Sequence, residues 1–271
     1  MRSEMSRVVF VTAFKGGVGK TTVSAGIACA LAALGQKVCV VDADFGMRCM
    51  DLVLGMENVA LYDCFDVLTG SCEPRNAIVG VDGFRSLWFV PAPIRYRGEP
   101  LPKENADALF EYLRTQFDFV IVDSSAELSD YYRLFADESD EAVVVTLHQS
   151  TAVRAAEKTA ANLAQFGFRT VRLAVNCYRD DDAQRGWLPG LAEMIYRSSV
   201  PIIGSVPFSS MVQVNQERRR LPFTGRDFER LRPYEAAYLN IARRLLGEQV
   251  PLHEGVRKPM RKKKALSPAG R

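Results

Sequence analysis
Short, uninterrupted apolar runs punctuate this chain, and between them lie stretches with an apolar residue every three or four positions. The runs are Val8 to Thr12, Lys37 to Val41, Leu87 to Val90, Phe119 to Val122, Ala142 to Leu147, Val171 to Val175 and Pro201 to Val206. They are rich in β-branched and aromatic residues, and an unbroken apolar run of this length suits a strand buried on both faces. Val23, Ile27, Leu31 and Leu34 recur at helical spacing, with Gly35 as a natural stop. Further helices are predicted over Ala106 to Gln116, Val153 to Phe166, Leu188 to Arg197 and Tyr234 to Leu246. Buried strands alternating with helices predict an α/β fold: a doubly wound, mostly parallel sheet with helices on both faces. Ligands of such sheets bind beyond the carboxyl ends of the strands.

Composition narrows the class. With 271 residues, 48% hydrophobic and 25% charged, the chain has the makeup of an ordinary globular protein with a substantial core. No apolar run approaches the roughly 18 residues needed to cross a bilayer, so a cytoplasmic chain is expected. Six cysteines lack any C-x-x-C pair, and Cys29 and Cys39 fall on an apolar helix and strand, as small buried side chains do. His148 and His253 have no partners at metal or triad spacing, and are expected to be structural or exposed. Glu217 to Arg220 and Arg243 with Arg244 are expected to be solvated helix faces. The net charge of +3 is unevenly placed, because Arg257, Lys258, Arg261, Lys262, Lys263 and Lys264 crowd one segment and leave the rest mildly acidic. Residues 1–250 are therefore read as one domain, and residues 251–271 as a basic, disordered tail.

The candidate chemistry begins at VVFVTAFKGGVGKTT, Val8 to Thr22. A strand runs into a glycine-rich turn and then into a helix. Gly16, Gly17 and Gly19 carry no Cβ, so backbone N–H groups can curl around an anion where the new helix adds its positive end. Lys20 brings a compact charge to the β- and γ-phosphates of a nucleotide, and the Thr21 hydroxyl can take a Mg²⁺ coordination position. Asp42 and Asp44 follow the second strand, and Asp123 ends the run FDFVIVD. Each alone could be a turn former. Three at predicted strand ends beside a phosphate loop are candidates for holding Mg²⁺ and orienting water.

Phe14 stands where the general phosphate-loop pattern has glycine, and a second lysine, Lys15, precedes Gly16. The string KGGVGKTT resembles the deviant Walker A loop of the MinD/ParA class of P-loop ATPases. VDADFGMRCMDLVLG is similar to the switch I segment of MinD proteins, and the similarity continues through LYDCFDVLTG, FADESDEAVVVT and SVPIIGSVPFSSMVQVNQERRRLPF, to about Leu246. The resemblance implies that Lys15, Gly16, Gly17, Val18, Gly19, Lys20, Thr21 and Thr22 bind ATP, and that Lys15 reaches the partner's nucleotide in an ATP-dependent homodimer. It also implies Asp42 and Asp123 near Mg²⁺ with Thr21, Asp44 orienting the hydrolytic water, and Asn176 and Pro207 at the adenine. The implied activity is ATP hydrolysis to ADP and phosphate, catalysed by Lys15, Lys20 and Asp44, in placing the division septum. The implied partners are an anionic membrane surface, met peripherally, and a division-inhibitor or activator protein.

Two segments depart from that pattern. After Asp123 the class continues Ser-Pro-Ala-Gly, whereas this chain reads Ser124, Ser125, Ala126, Glu127. Bulk and charge at Glu127 weaken hydrolysis if the side chain enters the site, which leaves a nucleotide-binding scaffold as one alternative, and are harmless if it points to solvent. The end of the chain carries Pro259 and Pro268 where related proteins have an amphipathic membrane helix, although the six bases of residues 257–264 suit anionic lipid. The same bases suit nucleic acid phosphates, so a ParA-type partition or flagellar-number ATPase is the other alternative.

Overall fold
The first strand, β1 (Arg7–Thr12), lies inside the sheet, with β5 (Phe119–Ser124) on one side and β6 (Glu141–Leu147) on the other. The computed structural model describes residues 6–96, 98–225 and 228–252. The expectations for His253, for the six tail bases and for the tail's disorder lie outside them. The remaining strands are β2 (Val38–Ala43), β3 (Val79–Gly80), β4 (Leu87–Val90), β7 (Val171–Tyr178) and β8 (Ile202–Pro207). Their order is β3-β4-β2-β5-β1-β6-β7-β8. Every pairing is parallel except that of the two-residue β3 with β4.

Eleven α-helices are described: α1 (Lys20–Ala33), α2 (Met50–Leu54), α3 (Cys64–Leu68), α4 (Pro74–Ala77), α5 (Lys103–Gln116), α6 (Asp130–Asp137), α7 (Ser150–Gln165), α8 (Asp180–Gln184), α9 (Leu191–Ser198), α10 (Ser210–Glu217) and α11 (Pro233–Leu245). Strand periodicity sorts the core. Val9 and Val11 face α1 and α11, while Val8 and Phe10 face α5, α6 and α7. Both faces of the sheet are thus covered, which is why the strands read as continuous apolar runs. Among the described residues no helix is long and apolar enough to cross a membrane.

The predicted strands and the four later helices recur, Leu87–Val90 with both ends as expected and the others with one or both ends shifted. β2 and β5 include Asp42 and Asp123, since their ladder continues through Asp42 opposite Asp123 and Ala43 opposite Ser124. α9 begins after Pro189, with Gly190 at its N-cap, because proline ends the preceding segment. β7 runs on to Tyr178 through an irregularity at Cys177, whose φ is 52°. Helices α2, α3, α4 and α8 are one or two turns long, too short to show a period. The six cysteines are all free. His148 is structural: it is buried, its Nε2 accepts from the Arg179 N–H at 3.2 Å, and burial lowers its pKa.

The reading of Arg243 and Arg244 as a solvated face is corrected at Arg244. Its guanidinium is half-buried and donates to the carbonyls of Ile203, at 2.8 Å, and Val250. Packing of α11 on β8 draws it inward. Arg219 pairs with Glu57 at 2.9 Å but stays exposed, as do Glu217, Arg218 and Arg220, so this stretch is solvated as expected.

Candidate functional site
Residues 13–19 connect β1 to α1 across the carboxyl edge of the sheet. Gly17 and Gly19 have φ of 74° and 83°, the left-handed region that turns successive N–H groups the same way. Gly19 is the N-cap of α1 and supplies no side-chain cap, so the helix presents its first-turn N–H groups and its positive end. A Cβ on Gly19 would also lie 2.3 Å from Asn176 Nδ2. That amide donates to the Val18 carbonyl at 2.8 Å, so β7 holds the loop from below. Gly19→Ala is therefore expected to cost about 1 to 2 kcal/mol in the left-handed conformation alone. It should weaken nucleotide binding about tenfold, as measured by calorimetric titration; unchanged affinity would show that the loop does not need this conformation.

Beneath the loop, Lys20 is buried and meets three carboxylates from two strand ends. Its Nζ lies 3.2 Å from Asp123 Oδ1 and 3.6 Å from Asp44 Oδ2. Burial works against the ammonium, but Asp123, Asp44 and Asp42 outweigh it and raise the Lys20 pKa. Ser24, one turn further along α1, donates to Asp123 Oδ1 at 2.7 Å. Asp123 Oδ2 is buried with no hydrogen-bond partner. Asp42 accepts from the N–H groups of Asp44, at 3.0 Å, and Met50, at 3.2 Å, which shapes the turn after β2. Full burial, and then the neighbouring Asp123, push the Asp42 carboxyl well above its ordinary range.

The other expected residues are placed around this centre. Lys15 Nζ donates to Thr151 Oγ1 at 3.2 Å, toward the start of α7. Thr21 is half-exposed at the first turn of α1. The Thr22 hydroxyl accepts from Gln216 of α10 at 2.9 Å. Pro207 ends β8, opposite Tyr178 and one strand beyond Asn176. The Glu127 side chain is exposed, and its carbonyl accepts from Ser125 Oγ at 2.8 Å, which closes the turn. Ser24 and Gln216 were not singled out from the sequence. Ser24 carried a signal, since it stands four residues after Lys20 on the same helix face.

This donor set fits a divalent cation with a nucleotide. Carboxylate and hydroxyl oxygens suit Mg²⁺, and the orphaned Asp123 Oδ2 is an acceptor available to a metal-bound water. Among the described residues no group of three or more His, Cys, Asp or Glu is arranged to hold a metal ion. Phosphate oxygens and water would complete the coordination.

Fold and loop together define a phosphate-loop nucleotide-binding protein. The family described as "CobQ/CobB/MinD/ParA nucleotide binding domain" matches residues 9–223. The septum site-determining protein MinD of Bacillus subtilis is 35% identical over 250 residues, 92% of each chain, and that of Synechocystis is 33% identical over 247 residues. In a MinC:MinD cell division protein complex from Aquifex aeolicus, the matched chain is 30% identical with a TM-score of 0.83, covering 92% of this chain and 99% of that one. The chain belongs to the MinD/ParA family, and within it is a MinD-like ATPase. The sequence-derived expectations of fold class and family hold.

Proposed function
We propose that this chain binds Mg·ATP, dimerises across it and hydrolyses it, so that its assembly state regulates the position of cell division. The observation that carries the reading is the placement of Lys20 under the glycine loop, against Asp123 and Asp44. In this reading Lys20 and the N–H groups of Gly17 and Gly19 hold the phosphates, with Gly16, Val18 and Thr22 completing the segment. Asp44 orients the attacking water, and Asn176 and Pro207 flank the adenine. Mg²⁺, held by Thr21 with Asp42 and Asp123, would neutralise phosphate charge as it develops. Catalysis is then electrostatic preorganisation, with little covalent chemistry for the protein.

Lys15 lies outside the Lys20 cluster and is assigned to the partner's nucleotide. Exposed Met47 and Leu128, on the loops that follow β2 and β5, support a second copy at this edge. A division inhibitor is the protein partner in this reading, since the Aquifex relative is complexed with MinC. Residues 1–250 form the ATPase unit. The six bases of residues 257–264 would add roughly 1 kcal/mol each at an anionic membrane.

The test combines phosphate release with gel filtration in ATP and in ADP. A dimer in ATP and a monomer in ADP are expected, with Lys15→Ala monomeric in both and slowed at least about tenfold. An ATP-bound monomer that turns over normally would overturn the dimer. Cosedimentation with anionic vesicles that requires ATP and Lys15 tests the membrane.

A further inference from the structure
Asp44 stands on a turn held locally by its own N–H on Asp42 Oδ1, at 3.0 Å, and by the Arg48 N–H on its carbonyl, at 2.9 Å. Its Oδ1 accepts from the Met47 N–H at 3.2 Å, its contact to Lys20 is 3.6 Å, and Gly46 and Met47 are exposed. Between Asp44 and Cys49 only Phe45 is buried, at 5% exposure. Its ring lies stacked on Tyr131, with centroids 5.0 Å apart and planes 14° apart. It also meets Tyr96 edge-on at 5.3 Å and Phe135 at 5.8 Å. Tyr96 in turn stands edge-on to Tyr131 at 5.4 Å and to Phe65 at 5.8 Å.

These rings come from separate segments: the loop after β2, α3, the stretch after β4, and α6. Helix α6 is the bridge. It starts at a Ser129 cap, whose Oγ accepts from the Tyr132 N–H at 3.2 Å, just beyond the turn that follows Asp123. Its Tyr132 is fixed to β1, with its hydroxyl 2.9 Å from Thr12 Oγ1 and its ring edge-on to Phe10 at 5.1 Å. Adjacent residues of one helix therefore reach the strand that feeds the phosphate loop and the loop that carries Asp44. Offset and edge-on aromatic pairs have preferred geometries, so such a cluster fixes position as well as burying area.

We propose that Phe45, Tyr131 and Tyr96 are positioning residues for hydrolysis: they clamp the Asp44 loop to α6 and hold the Asp44 carboxylate where it orients the attacking water. The proposal rests on the assignment of Asp44 above. Misplacing a positioned group by about 1 Å can cost up to roughly a hundredfold in rate, while substrate binding by the phosphate loop is untouched.

The test is steady-state ATP hydrolysis by Tyr131→Leu, Tyr131→Phe and Asp44→Asn, with thermal melts to confirm folding. Tyr131→Leu should lower kcat about tenfold with KM for ATP within about twofold of the parent, and Tyr131→Phe, which keeps the ring, should restore kcat. In an Asp44→Asn background Tyr131→Leu should add no further loss, because it acts through Asp44. Tyr96→Leu, a half-buried second site, should show the same split if Tyr131→Leu fails to fold. Slow Asp44→Asn beside parental rates for both leucine variants would overturn the clamp alone, as would losses that multiply in the double variant. A fully active Asp44→Asn would remove the assignment of Asp44, and the clamp with it.

Discussion
Lys20→Ala is expected to lower ATP turnover by on the order of 10² to 10³-fold, the cost of removing one preorganised electrostatic contact to developing charge. The same change reaches stability, because Lys20 is the cation among Asp42, Asp44 and Asp123. Without it, two fully buried carboxylates face each other from paired positions on β2 and β5. Breaking a buried charge pair on one side costs about 3 to 5 kcal/mol, and here the lysine's departure leaves the acids uncompensated.

The pH dependence has a definite sign. The folded pKa of Asp42 is raised above its unfolded value, so its contribution favours the folded state below the ordinary carboxylate range and is lost as pH rises through the raised value. The Lys20 pKa is also raised, so its contribution is lost only in alkali, above the ordinary lysine range. The stability deficit of Lys20→Ala should therefore be large at about pH 8 and smaller at about pH 5, because the raised Asp42 pKa lets that carboxyl take up a proton before an ordinary carboxylate would as pH falls. Denaturant melts of both proteins at the two pH values measure it. Equal deficits would show that the lysine does not balance these charges, and turnover within about threefold of the parent would remove it from the phosphate site.

Glu141→Gln should give the largest loss of stability away from the site. Glu141 opens β6 at the amino edge of the sheet, 4% exposed, with one carboxylate oxygen on Arg7 of β1 and the other on Arg172 of β7. Glutamine keeps the size but replaces one acceptor by an NH₂ group facing a guanidinium. Arg7 is more than a third exposed, so the low end of the buried-pair range applies, about 3 kcal/mol. For a domain of this size that lowers Tm by roughly 6 to 12 °C. Below the transition, kcat should stay at the parental value, since the β6 strand separates this edge from the loops by about 20 Å. A loss under about 1 kcal/mol would mean that the arginines are screened as at a surface.

What was legible in the sequence follows from range. Strands buried on both faces, such as Phe119–Ser124, need no knowledge of their neighbours to read as apolar runs. The phosphate loop was legible because glycines, lysine and threonine act within eight consecutive residues, Lys15 to Thr22. The aspartates were legible as types at strand ends, and the resemblance of the surrounding strings supplied their expected roles.

The remainder depends on which strands lie together. β2 pairs with β5 and β5 with β1, although none is consecutive in the chain. That order sets Asp123 beside Asp42 and within reach of Lys20, 103 residues away. It brings Asn176 to Val18 across 158 residues and sets Tyr131 against Phe45. It also turns Arg244, which reads as a solvated helix residue, into a clasp on the Ile203 carbonyl. Local pattern and spacing alone determined the seven longer strands, the long helices, the layered class and the phosphate loop, because backbone propensity, glycine conformation and burial act over a few residues. The tertiary structure alone decided the charge balance at Lys20 and the partners of Asp44, because contacts between distant segments depend on strand order and packing.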